Sequence, residues 1–353
     1  MHKALGCKTY MIGNKKNVIS FIITIVVAIT MLGLSKSVIT SVEDEHKLYF
    51  FGSQYYTIVA TTDEECIDPA FVERGKDLKE VEHAYYVNTE FLPIYSLTGY
   101  WGSKLIHIEK SGIQEILQAI GIEYDSQDIP LEDRGQIITS TRIAKNLKLI
   151  KGEAMQEDDR LIFYDSFESN LLVSFTPITA TNQTTASLFI PREGQLEAMN
   201  SALREIVPQN YKVYDRASYE ASDTSFIGGT YTTFNIIVIL ITIASSIATG
   251  VSTYVHYKGR REEVSVLKAI GYSEEAILLR VTKEILAIIV IGTCLGIGAL
   301  FVVIYLSNQL IIYPNAYMPF RIDARVLCSI EVIPLCMLAF SLTPTWILLK
   351  TVD

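Results

Sequence analysis

Four long stretches of this chain carry no charged side chain, and they set its organisation. Asn17 to Ser35 is dominated by Ile, Val and Leu between Lys16 and Lys36. At about 1.5 Å per residue such a run crosses a hydrocarbon core of about 30 Å as one helix. The second run, Thr224 to Tyr257, has only His256 as a titratable residue. The third, Ile285 to Phe320, is long enough for a helix and an outer loop broken at Pro314 and Pro319. Val332 to Leu349 is the fourth, closing at Lys350 with Glu331 at its outer rim. The pattern predicts four membrane-spanning helices, over 18–35, 227–257, 285–310 and 326–350.

Between the first two spans the pattern changes. Lys47 to Thr61 is rich in Tyr, Phe, Ile and Val and reads as strand material ending at the acidic turn Asp63-Glu64-Glu65. Pro69 to Val81 has helical spacing, with Phe71, Leu78 and Val81 as candidate core contacts. Ile113 to Ile120 reads as a short helix ended by Gly121. Leu161–Tyr164, Leu171–Phe175 and Ser187–Ile190 read as strands, followed by a helix over Gly194–Ile206 and a strand over Tyr211–Tyr214. This is an α+β mixture without internal repeats, and about 190 residues suffice for a core of their own.

Composition agrees with a membrane protein: of 353 residues, 49% are hydrophobic and 20% charged, and mean hydropathy is +0.28. Disorder is excluded by that apolar content. A net charge of −9 argues against nucleic-acid binding, which needs a basic surface. Lys and Arg beside the spans set orientation. Residues 1–17, a basic elbow, carry four basic and no acidic side chains, and Lys258-Gly259-Arg260-Arg261 follows the second span. Both are expected in the cytoplasm, with segment 36–226, holding 17 basic and 31 acidic residues, outside. Leu34-Ser35-Lys36-Ser37 is a poor cleavage site, so the first span is expected to stay as an anchor. Of five cysteines only Cys66 lies in the outer segment, which leaves no internal disulfide there.

The informative stretch is Lys258 to Glu284. Val264, Leu267 and Ile270 recur at three-residue steps and are expected to share one helix face, with Gly271 as a stop. Ser273 is a candidate cap for a second helix, with Glu274 and Glu275 in its first turn. At these residues the sequence resembles the FtsX-like/MacB-like permease family of ABC transporters (type VII, mechanotransmission type). The family pattern R-x-x-E-φ-x-φ-L-[RK]-A-φ-G, where φ is apolar, finds Arg260, Glu263, Val264, Val266, Leu267, Lys268, Ala269, Ile270 and Gly271, with Glu284 following. Ser265 and Tyr272 depart from the family's usual residues. Gly135 to Ser140 followed by Ala144, Leu147, Leu149 and Gly152 is similar to the family's strand and short helix, with Glu153 in place of its usual Asp. Gly292, Gly296 and Gly298 resemble its glycine-rich third helix, and Gly292-x-x-x-Gly296 allows close helix approach.

The resemblance implies an α-helical membrane protein with four transmembrane helices plus an extracytoplasmic, MacB-like α+β domain inserted between helices 1 and 2. It implies that 258–284 holds a coupling helix that docks into a cytoplasmic ATPase, that 311–325 is an outer loop, and that both termini are cytoplasmic in a bacterial cell membrane. The chain would be a non-catalytic permease subunit, working with a second permease copy or paralogue and exporting a peptide such as an antimicrobial peptide, a lipid-like or an antibiotic-like amphiphile. The alternatives are an FtsX-type regulator of an extracellular peptidoglycan hydrolase and an anchored receptor without an ATPase. ATP and magnesium would be bound by the partner, since Gly6-Cys7-Lys8-Thr9 lacks the glycine beside lysine of a phosphate loop. His2, His46, His83, His107 and His256 are scattered, and neither Cys-x-x-Cys nor Gly-x-Ser-x-Gly occurs. Asn182-Gln183-Thr184 is formally a sequon. Glu43-Asp44-Glu45 and Glu157-Asp158-Asp159 read as solvated faces, and Glu331 is expected to pair with Arg321 or Arg325.

Overall fold

A computed structural model describes residues 15–350 except 64, 98, 132–134, 157, 180–183, 259 and 260. The basic residues before Lys15, Glu157 and most of the sequon lie outside the described residues. The chain divides into two compact units, one of Val42–Gly228 with Ile311–Met318 and one of the remainder.

The first unit is built on an eight-stranded mixed sheet in the order β5-β4-β6-β3-β2-β7-β1-β8. Its strands are β1 (Thr57–Thr61), β2 (Val81–Ser96), β3 (Gly99–Ile108), β4 (Gly135–Ser140), β5 (Leu161–Phe167), β6 (Val173–Pro177), β7 (Ala186–Pro191) and β8 (Tyr211–Tyr214). β3–β6 and β4–β5 are parallel and the other pairs antiparallel. Side chains alternate between the faces along each strand. One face buries Ile58, Val87, Ile106, Phe175 and Leu188 under Ile113, Ile116 and Leu117 of a helix over Lys110–Ala119. The other face holds two separate apolar clusters. Leu92, Ile94, Leu105 and Ile137 pack with Ile143 of the short helix Thr141–Asn146. Val59 and Phe189 pack with Phe71 of Pro69–Lys76 and with Met199 and Leu203 of Leu196–Ile206.

Several expectations change at this level. Strand material over Lys47–Thr61 shrinks to β1, because Lys47–Tyr49 ends the first long helix and Phe51–Gln54 forms a 3₁₀ turn. The helix expected over Pro69–Val81 stops at Lys76, and Val81 opens β2. Asp68 starts that helix by accepting from the Ala70 N–H at 2.9 Å, ahead of Pro69. The β2–β3 hairpin was not anticipated, since alternation along β2 is masked by Tyr85, Tyr86, Phe91 and Leu92 falling on both faces. Glu45, read as part of a solvated run, is buried against Arg142.

The second unit contains the apolar helices. Among the described residues, four are long and apolar enough to cross a membrane: Val18–Leu48, Asn235–Val255, Glu274–Asn315 and Ala324–Thr343. They belong to the helices α1 (Lys15–Tyr49), α6 (Arg216–Lys258), α8 (Glu274–Ser307) and α9 (Ala324–Lys350), between which lies α7 (Arg261–Ala269). In this numbering α2 to α5 are Pro69–Lys76, Lys110–Ala119, Thr141–Asn146 and Leu196–Ile206. The helices overrun the uncharged stretches because i to i−4 bonding does not stop at the first charged residue. A Cβ on Gly292 would stand 2.9 Å from the Ile25 Cβ, and one on Gly296 2.9 Å from the Ile29 Cβ. These two glycines therefore seat α1 directly on α8. Among the described residues, nothing lies within 4 Å of such a Cβ at Gly298. Gly292→Leu is expected to destabilise the detergent-solubilised protein by about 1–3 kcal/mol through overpacking, with Gly298→Ala near neutral. Thermal unfolding of both variants checks this.

Candidate partner-docking site

α7 is a nine-residue helix whose two sides differ in fate. Val264 and Leu267 are buried against Ile277, with Leu278 beside them. Ile270 does not join that face; it is 69% exposed, and Val266 is 56% exposed. Two three-residue steps carry a side chain about 120° round a helix, so the expected stripe could not hold. The pair spaced four apart, Val266 and Ile270, is what the helix presents outward.

The end of α7 is set by backbone geometry. Gly271 has φ +96°, a left-handed conformation that glycine adopts without strain. Its N–H donates to the Lys268 carbonyl at 2.9 Å and the Tyr272 N–H to the Leu267 carbonyl at 3.1 Å. That double bond pattern closes the last turn and leaves Tyr272 exposed. α8 then starts at once, as the Ser273 side chain accepts from the Ala276 N–H. Lys268 Nζ reaches Glu274 Oε1 at 2.9 Å across the turn, so α7 is tied to the first residue of α8 by charge as well as packing. Ala269 is exposed. Glu284 is only 1% exposed and lies 3.3 Å from the Arg280 Nε one turn earlier. Arg260 lies outside the described residues, and so does the side chain of Glu263. The site thus offers a stiff apolar ridge with basic Lys268 at its edge. It suits binding, and among the described residues no group of three or more His, Cys, Asp or Glu is placed to hold a metal.

Glu331 is exposed in α9, and among the described residues it makes no ion pair; Arg325 instead bonds Asp323 at 2.7 Å. Two charged side chains of the sheet unit, Arg142 buried and Lys104 half-buried, have no signal in the local sequence. Arg142 is paired with Glu45, its side chain 8% and that of Glu45 4% exposed. Lys104 lies under the rings of Tyr219 and Tyr214, 5.0 and 6.0 Å from their centroids, and donates to the Tyr219 hydroxyl. Among the described residues no carboxylate is within ion-pairing distance of it. Burial pushes the Lys104 ammonium from the usual 10.5 down to about 8. The unfolded chain therefore binds more protons between these values, so stability rises as pH climbs from about 8 toward 10.5 and is flat below. Lys104→Met should remove this rise and stabilise the protein at pH 7 by about 2 kcal/mol, which the difference between the two unfolding-versus-pH curves measures.

The family description FtsX-like permease C-terminal matches residues 235–352, a stretch that includes the whole of α7, α8 and α9. A comparison with curated proteins returns no match. Among solved structures, the periplasmic region of MacB from Actinobacillus actinomycetemcomitans is similar at 6% identity and a TM-score of 0.28, over 48% of this chain and 92% of that one. The extracellular domain of the noncanonic ABC-type transporter YknZ from Gram-positive bacteria is similar at 13% identity and a TM-score of 0.27, over 45% of this chain and 100% of that one. Over residues 235–352, its C-terminal third, the chain is therefore similar to the FtsX-like permease C-terminal family.

Proposed function

We propose that this chain is the permease subunit of an ABC complex and that α7 is the element through which a cytoplasmic ATPase moves it. The observation that carries this reading is the division of α7 into a buried face, Val264 and Leu267, and an outward apolar pair, Val266 and Ile270. A solvated helix linking two spans has no need of exposed Val and Ile at i and i+4, whereas a helix seated in a partner's groove does. The direct attachment of α7 to α8 through the Gly271 turn and the Lys268–Glu274 pair supports force transfer into a spanning helix. ATP and magnesium belong to the ATPase, and a second permease copy or paralogue completes the complex. The termini and α7 face the cytoplasm and the sheet domain lies outside, where movement would drive export of an amphiphile.

Affinity purification of the tagged chain from mild detergent, followed by mass spectrometry, tests the proposal. An ATP-binding subunit recovered in stoichiometric amount supports it, and the number of permease species in the same fraction distinguishes homodimer from heterodimer. Failure to recover any ATPase after cross-linking overturns it.

A further inference from the structure

On the sheet face that carries two apolar clusters, a polar strip separates them. Along β2, Ala84 and Tyr86 pack with one cluster and Leu92 and Ile94 with the other, and the same-face positions between are Asn88 and Glu90. His107 of β3 is the register partner of Asn88 on one side and of Thr176 of β6 on the other. Beside this strip opens a cleft of about 690 Å³, lined among others by Glu90, His107, Asp158, Asp159, Arg160 and Thr176. Such a volume is in the range of ligand clefts.

The groups lining the cleft are unevenly spent. Asp158 is committed to Arg160 by a fork of bonds, Nη2 to Oδ2 at 2.6 Å and Nε to Oδ1 at 2.9 Å. Among the described lining residues, three carboxylates against one guanidinium make the lining negative. Thr176 is 3% exposed, yet among the described residues its Oγ1 has no hydrogen-bond partner, and neither has the buried His107 Nε2. Glu90 Oε2 is 3.7 Å from that nitrogen, beyond a hydrogen bond. Unpaired buried polar atoms beside an open cleft cost stability, and a bound donor relieves that cost. Burial holds the His107 imidazole below its usual pKa, against the pull of Glu90, so it is neutral near pH 7 and able to accept.

We infer that this cleft is a binding site for a primary ammonium group, the head of a polyamine or the side chain of a basic peptide. An ammonium has three donors and no acceptor, and the cleft offers it the Glu90 carboxylate, the Thr176 hydroxyl and a His107 ring nitrogen from three adjacent strands. An anion is excluded by Glu90 and Asp159, and a purely apolar ligand would leave these acceptors unpaired. The inference goes beyond the ATPase reading and does not depend on it, because binding is measured on the permease alone.

Full-length protein in nanodiscs of zwitterionic lipid is titrated calorimetrically with spermidine and, separately, with trilysine at low ionic strength. Saturable binding is expected, weakened at least fivefold by Glu90→Gln and by Thr176→Val, and unchanged by Glu197→Gln on α5. Thr176→Val keeps the side-chain shape, and unfolding curves verify that each variant is folded. Binding of both probes assigns the shared amine chemistry, and trilysine alone would assign the basic peptide. Binding that Glu197→Gln weakens as much as Glu90→Gln reflects diffuse acidity and overturns the inference, as does the absence of saturable binding by either probe.

Discussion

Ala269→Asp should release the ATPase from the purified permease while leaving membrane insertion intact. Ala269 is exposed between Val266 and Ile270 and has no packing role that the substitution would destroy. A carboxylate there would enter an apolar contact without a partner, and burying an unpaired charge is among the larger penalties available to a single substitution. A weakening of at least about 30-fold, about 2 kcal/mol, is expected. Val266→Ala and Ile270→Ala should each lose less, because truncation removes contact area without adding a stranded charge. Quantitative co-purification, with the membrane fraction of each variant as control, measures the series. Undiminished recovery of ATPase by Ala269→Asp would place the docking surface elsewhere on the chain.

The second large effect is expected at Arg142. Its guanidinium bonds Glu45 and donates through Nε to the Ala316 carbonyl at 3.1 Å. Asn146, one helical turn on, donates to the carbonyls of Asn315 and Tyr95 at 2.9 Å each and accepts from the Tyr95 N–H. One short helix, α4, therefore fastens together the last turns of α1, the β2–β3 hairpin and the Asn315–Ala316 backbone between α8 and α9. Arg142→Met alone should destabilise the protein by about 3–5 kcal/mol, since it leaves Glu45 buried and uncompensated. The double variant Arg142→Met/Glu45→Leu should recover most of that loss, because a buried pair is far less stabilising than a broken one is harmful. Thermal unfolding of the two single variants and the double variant checks this. Additive losses would mean that the two charges do not act as a pair.

Residues near one another in sequence account for most of what could be read in advance. The four apolar runs announce their spans because lipid imposes length and apolarity on each helix separately. The turn after α7 was readable for a similar reason: Gly271 and Ser273 act through backbone bonds to residues at most five positions away. Tyr211–Tyr214 came out with the bounds expected of it. Ile270 failed because a three-residue step was extended across two turns, where the helix itself rotates the side chain away.

What depended on the tertiary structure involves partners far apart in the chain. Glu45 looks solvated among acidic neighbours and becomes buried only because Arg142 arrives from 97 positions away. Lys104, His107 and Thr176 are ordinary polar residues in sequence, and the half-burial of the first two and burial of Thr176 follow from a strand order, β6-β3-β2, that no local pattern specifies. Gly292 and Gly296 suggested a close approach, but that Ile25 and Ile29 of α1 fill the space is a matter of packing. Apolar runs and helix caps are short-range demands of solvent and backbone, so the sequence alone settles them. Burial of charge, strand order and the occupant of a groove are decided between distant segments, and only the folded chain brings those together.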